Sequence, residues 1–90
     1  MRIDKFLRNA GILPRRSRAQ EACDEGLVQI DGKTAKSSSD VRIGQVVRIE
    51  LGLQLREYEV LALPNVPVAK KKREDYAKLA LQTHLETDEW

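Results

Sequence analysis

At Leu27 the spacing of apolar residues changes period, and that change restricts the chain to a fold that sets helices beside a sheet. Upstream, Ile3, Phe6, Leu7 and Ala10 follow an i, i+3, i+4, i+7 pattern, which lines one face of a helix over residues 4–10. Asp4 suits the first turn of that helix and Gly11 its stop. Beyond Pro14, Ser17 and Gln20 have capping-box spacing, and Ala19, Ala22 and Cys23 form a packing face of small side chains. A second helix is expected over residues 18–25, ended by Gly26.

Downstream of Leu27 the pattern is that of strands. Leu27, Val28 and Ile30 lead into Asp31-Gly32, a dipeptide suited to a type I′ turn because both central positions need positive φ, and "KTAK" returns as the partner strand. After polar "SSSD" and a turn around Gly44, "VVRIEL" sets Val47, Ile49 and Leu51 on one side and Arg48 and Glu50 on the other. "LQLREYEVLAL" supplies a further strand, ended by Pro64. Four or five short strands, mostly antiparallel, are expected. "PNVPVA" reads as a linker laid over the surface. Tyr76, Leu79, Ala80 and Thr83 then recur at helical spacing behind Glu74 and Asp75, which predicts a third helix over residues 73–84 and a frayed tail, Trp90 included.

Ninety residues, 41% of them apolar, supply one hydrophobic core and no more. The expected organisation is a domain over residues 1–63 followed by a linker, helix and tail over residues 64–90. The N-terminal segment is charged and amphipathic, unlike a signal peptide, and no apolar run approaches a membrane span, so a cytoplasmic protein with no membrane contact is expected. A single cysteine, Cys23, allows no internal disulfide, and with His84 as the one histidine there is no ligand set for a structural zinc. Cys23 reads as a small packing residue. No catalytic site, metal or cofactor is expected: His84 has no evident Ser or Cys partner, and the glycines stand singly at element ends where a phosphate loop would cluster them.

Charge is unevenly distributed. Residues 1–20 hold six cations, Arg2, Lys5, Arg8, Arg15, Arg16 and Arg18, against one acid, Asp4, although the net charge of the whole chain is only +2. Arg15, Arg16 and Arg18 surround the start of the second helix, where first-turn N–H groups and the helix dipole already favour an anion. Cations there are unfavourable for the helix alone, and arginine offers bidentate phosphate contacts, so a phosphate ligand accounts for the cluster better than solvation does. The bland alternatives are that Arg15, Arg16 and Arg18 merely solvate a face, or that Arg18 pairs with Glu21 or Glu25. Phe6, Tyr58 and Tyr76 lie in apolar patterns and offer no stacking platform, which favours structured RNA over single strands. The second helix is too short to present many base-reading side chains, so DNA is not the expected ligand. "KKKR" at residues 70–73 is either a second phosphate contact or a solvated helix start.

"RIDKFL", the basic loop with "SRAQEA", "GLVQIDG" and "VRIGQVV", in that order over residues 1 to about 50, resemble the S-four RNA-binding domain, also called the alpha-L motif. The resemblance implies an α+β alpha-L RNA-binding fold: two short N-terminal helices packed on a small, mostly antiparallel sheet, here with a C-terminal helix added. It also implies that Arg2, Lys5, Arg15, Arg16 and Arg18 face RNA backbone, with Lys33 and Lys36 on the hairpin as weaker candidates; Arg8, in line with Arg2 and Lys5 on the first helix, is a further RNA-binding candidate from the charge pattern alone. Gln45 stands where many relatives have Asp, at a turn where little effect is expected. Short length and the "KKKREDYAKL" segment resemble the small stand-alone members that serve bacterial ribosome-associated quality control, and the related heat-shock protein fifteen. That resemblance implies contact with ribosomal RNA of the large subunit and with tRNA, on subunits obstructed by peptidyl-tRNA, in support of alanine tailing by a partner, RqcH. A monomer is expected. The alternatives are a general structured-RNA or ribosome binder, a heat-shock-type subunit recycling factor, an accessory acting in trans to an RNA-modifying or aminoacylating enzyme, and, from another class, a protein-interaction module with a basic face.

Overall fold

The computed structural model describes residues 1–13, 15–68 and 70–83. Two helices, α1 (Ile3–Asn9) and α2 (Arg16–Asp24), precede the strands β1 (Val28–Ile30), β2 (Lys33–Thr34), β3 (Val46–Leu51) and β4 (Gln54–Val60), and a short 3-10 helix (Lys70–Asp75) leads into β5 (Ala77–Thr83). The five strands form one sheet in the order β2-β1-β3-β4-β5, every neighbouring pair antiparallel. Among the described residues no helix is long and apolar enough to cross a membrane.

One core joins the layers. Ile3, Phe6, Leu7 and Ala10 of the first helical segment and Ala19, Ala22 and Cys23 of α2 are buried with Val28 and Ile30 of β1, Val47, Ile49 and Leu51 of β3, and Tyr58 and Val60 of β4. The side chains come from the positions that the two periodicities select, i to i+4 in the helices and alternate residues in the strands. The β1–β2 hairpin turns through Asp31 at φ 50° and Gly32 at φ 82°, the two left-handed residues that a type I′ turn requires. Asp31 does more than turn: its carboxylate accepts hydrogen bonds from the Val46 N–H (2.9 Å) and from Gln45 Nε2 (3.3 Å). Gln45 Oε1 in turn accepts from the Arg42 N–H at 2.8 Å, so this side chain ties the Gly44 turn to the hairpin.

Local readings differ from the sequence expectation at two places. Helix α2 starts at Arg16, earlier than the capping-box reading has it, with Arg15 as its extended N-cap and no side-chain capping bond. Gln20 is drawn away from the cap because its amide donates to Asp4 across the helix pair at 3.1 Å. The expected helix over residues 73–84 is replaced. Its start is the 3-10 turn, and residues 77–83 form β5, paired with β4 from Val60↔Ala77 to Leu55↔Thr83 with a bulge at Glu57/Tyr58. The segment also carries a period of two, through Ala77, Leu79 and Leu81, and the unpaired edge of β4 offers a full hydrogen-bond ladder that a helix would leave to solvent. The tail expected to fray, with His84 and Trp90, lies outside the described residues.

Candidate nucleic-acid interface

The N-terminus is fastened before α1 begins. The Met1 ammonium lies 2.7 Å from Asp40 Oδ1, the Val41 N–H donates to the Met1 carbonyl oxygen, and the Ile3 and Asp4 N–H groups donate to the carbonyl oxygens of Ser39 (2.8 Å) and Ser37 (3.3 Å). These carbonyls satisfy first-turn donors that no N-cap side chain serves, since Arg2 occupies the N-cap without a capping bond.

Asp4 then organises the basic residues. Its side chain is fully buried at 0% exposure, while Arg2 and Arg16 reach it from solvent with about half their surface free, 48% and 46%. Oδ1 accepts from the Lys5 N–H at 2.7 Å and from Arg2 Nε at 3.2 Å. Oδ2 accepts from Arg2 Nη2 (3.2 Å), Gln20 Nε2 (3.1 Å) and Arg16 Nε (3.4 Å). Burial pushes the Asp4 pKa up, but the hydrogen bonds from Gln20, the Lys5 N–H and Arg2, with the charge of Arg16, outweigh it and hold the carboxyl below its ordinary value. One buried carboxylate thus brings an arginine before α1 and an arginine at the start of α2 to the same place, each with donors left over for a ligand.

An open groove runs along this edge between α1, the start of α2 and the segment after β4. One half, a recess of about 420 Å³, is lined by Lys5, Arg8, Asn9, Arg15, Arg16 and Asn65. The other, of about 510 Å³, is lined by Met1, Arg2, Lys5, Arg16, Leu63 and Asn65. Five of the eight cations expected to meet RNA therefore share one groove: Arg2, Lys5, Arg8, Arg15 and Arg16. Among the described residues the N–H groups of Arg16, Ser17 and Arg18 in the first turn of α2 meet no protein acceptor, so the positive end of that helix stays open beside the same side chains.

The other three stand elsewhere. Arg18 reaches Glu21 at 3.7 Å one turn on, with both side chains exposed, as the solvated-face alternative has it. Lys33 and Lys36 are exposed on and just past β2 and do not line the groove. Of "KKKR", Arg73 turns inward: Nη1 donates to the Gly11 carbonyl oxygen at 3.4 Å and the guanidinium sits 6.0 Å from the centre of the Tyr58 ring. Phe6 and Tyr58 are core residues at 0% and 1% exposure, and Tyr76 packs against the core. Cys23 is buried, and desolvation with the nearby charges of Asp4 and Asp24 pushes its thiol up to about 11.

Sequence reasoning missed the wall opposite the helices. Asn9 is buried on α1; its Nδ2 donates to the Pro64 carbonyl oxygen at 3.1 Å, and its own carbonyl oxygen accepts from the Val68 N–H at 2.9 Å. These bonds lay the linker along the groove. The signal in the sequence was a polar Asn9 at a position next to the apolar stripe, which by itself does not name a distant partner.

A family profile described as S4 domain matches residues 1–47. The chain is 40% identical over 70 residues to a protein of Helicobacter pylori strain J99 named RQC P-site tRNA stabilizing factor, covering 74% of this chain and 83% of that protein. A protein of the same name from Bacillus subtilis strain 168 is 35% identical over 79 residues, covering 88% of this chain and 87% of the other. Among solved structures, heat shock protein 15 of Vibrio cholerae superposes with a TM-score of 0.82 at 22% identity, over 89% of this chain and 81% of that one, a likeness of fold. The solution structure of a protein described as hypothetical gives a TM-score of 0.72 at 36% identity, over 90% and 98% of the two chains.

Proposed function

Since the chain belongs to the S4 domain family, with relatives named RQC P-site tRNA stabilizing factor, we propose that it is a non-catalytic RNA-binding factor whose groove holds the phosphates of a tRNA. The observation that carries the reading is the convergence of Arg2, Lys5, Arg8, Arg15 and Arg16 on one groove, with Asp4 setting two of them. Guanidinium and ammonium groups beside an open helix N-terminus suit backbone phosphates, and a face without stacking aromatics suits structured RNA recognised by shape.

The finer reading is the one that the resemblance to the small stand-alone quality-control members implies. The chain acts in the bacterial cytoplasm as a monomer, on large ribosomal subunits obstructed by peptidyl-tRNA. There it contacts ribosomal RNA as well as tRNA and supports alanine tailing of the stalled chain by RqcH. Sedimentation of the protein with large subunits tests this: retention on subunits that carry peptidyl-tRNA, well above retention on empty ones at moderate salt, is expected. Equal retention on both would replace it with a general ribosome binder or recycling factor, and no retention on either would favour a protein partner for the basic face.

A further inference from the structure

Asn65 is the groove's uncharged polar member whose side chain makes no hydrogen bond among the described residues. It lines both halves, beside Arg8 and Arg15 in one and Arg2 in the other, with Lys5 and Arg16 common to the two. Its backbone setting is braced. The Asn9 amide holds the Pro64 carbonyl oxygen immediately before it at 3.1 Å, and the Val68 N–H returns to the Asn9 carbonyl oxygen at 2.9 Å, so residues 65–67 form a short loop fastened to α1 at both ends. Pro64 and Pro67 restrict that loop further by fixing their own φ. The Asn65 side chain itself is exposed and makes no hydrogen bond among the described residues.

The five cations around it donate and cannot accept, which suits the acceptor oxygens of phosphate. A carboxamide has both a donor and an acceptor, which matches the ribose 2′-hydroxyl and the polar edges of bases. We propose that Asn65 contacts the nucleoside part of a nucleotide whose phosphate lies against Lys5 and Arg16, so that the linker forms the second wall of the RNA site and contributes to its selectivity. The inference rests on the RNA-binding reading above.

The test measures the affinity of the full chain for a tRNA transcript and for its deoxyribose counterpart, each over a series of salt concentrations, with Asn65→Ala, Val66→Ala and Arg16→Ala compared to the unaltered protein. Val66 is exposed in the same loop and does not line the groove, so its truncation reports any general effect of disturbing the loop. Asn65→Ala is expected to weaken tRNA binding roughly fivefold, the worth of one hydrogen bond, without changing the slope of affinity against salt. A loss confined to the ribose form would identify the 2′-hydroxyl as the contact, and a loss shared by both forms a base edge. Unchanged affinity for Asn65→Ala beside a clear loss for Arg16→Ala would overturn this inference and leave the RNA-binding reading standing. A flattened salt slope for Asn65→Ala, or an equal loss for Val66→Ala, would also overturn it. Unchanged affinity in both Asn65→Ala and Arg16→Ala would overturn the reading beneath it.

Discussion

Asp4 has two roles at once, closing the α1–α2 contact and orienting arginines that a ligand can use. Replacing it with Asn keeps the shape but removes the charge that Arg2 and Arg16 address, leaving donors around a weaker acceptor. Because both arginines are half exposed, the cost is expected to be about 2 kcal/mol, below the range for a fully buried pair. That corresponds to a fall in melting temperature of roughly 8–16 °C. The same carboxylate sets an acid limb. Its folded-state pKa lies below the ordinary value of 3.8, so its contribution to stability is complete above that value and is lost as pH falls below it; stability measured from pH 5 down to pH 2 should decline less steeply in Asp4→Asn. Arg16→Ala removes one of several donors on Asp4 at a partly exposed site, so it should cost less than about 1 kcal/mol of stability. Its tRNA affinity should fall and its salt slope flatten by about 1. Cys23, raised to about 11, should resist alkylation at pH 8 in the folded protein and react at once in denaturant.

The elements show where the sequence was sufficient and where it was not. Helix α1, the Asp31-Gly32 hairpin and β3 were legible because each is specified by neighbours in sequence: an apolar stripe, a turn dipeptide, a strict alternation. At Gly32 a methyl group would meet nothing within 4 Å, so Gly32→Ala should cost about 1 kcal/mol through its φ of 82° alone and leave tRNA affinity intact in the folded protein, which a denaturant melt and a binding titration would show. The segment after Tyr76 was not legible, because its apolar residues fit both a helical and an alternating period. What decided between them was the edge of β4, a feature of the assembled sheet. The start of α2 was misread for a related reason. Gln20 looks like a capping partner within its own helix, and its real partner, Asp4, lies on the other one. Likewise the cations of the groove could be picked out by charge, whereas Asn9 and Asn65 gain their meaning only when the linker folds back on α1.

On the scale of the whole molecule, charge is segregated by the fold. The groove gathers five cations along one edge, while the open face of the sheet mixes Glu50, Glu57 and Glu59 with Arg48, and the hairpin lysines stand apart from the groove. A chain of net charge +2 can therefore present a concentrated positive site to a polyanion without being basic throughout. Lys36→Ala should accordingly weaken tRNA binding less than Arg16→Ala does. The central claim is that this groove grips RNA through its phosphates, and the salt dependence of tRNA affinity in the unaltered protein tests it most directly. With about five phosphates neutralised, the logarithm of the binding constant should fall against the logarithm of salt concentration with a slope of about −3.5 to −4.5. A slope near zero, or one that Arg16→Ala leaves unchanged, would contradict the account.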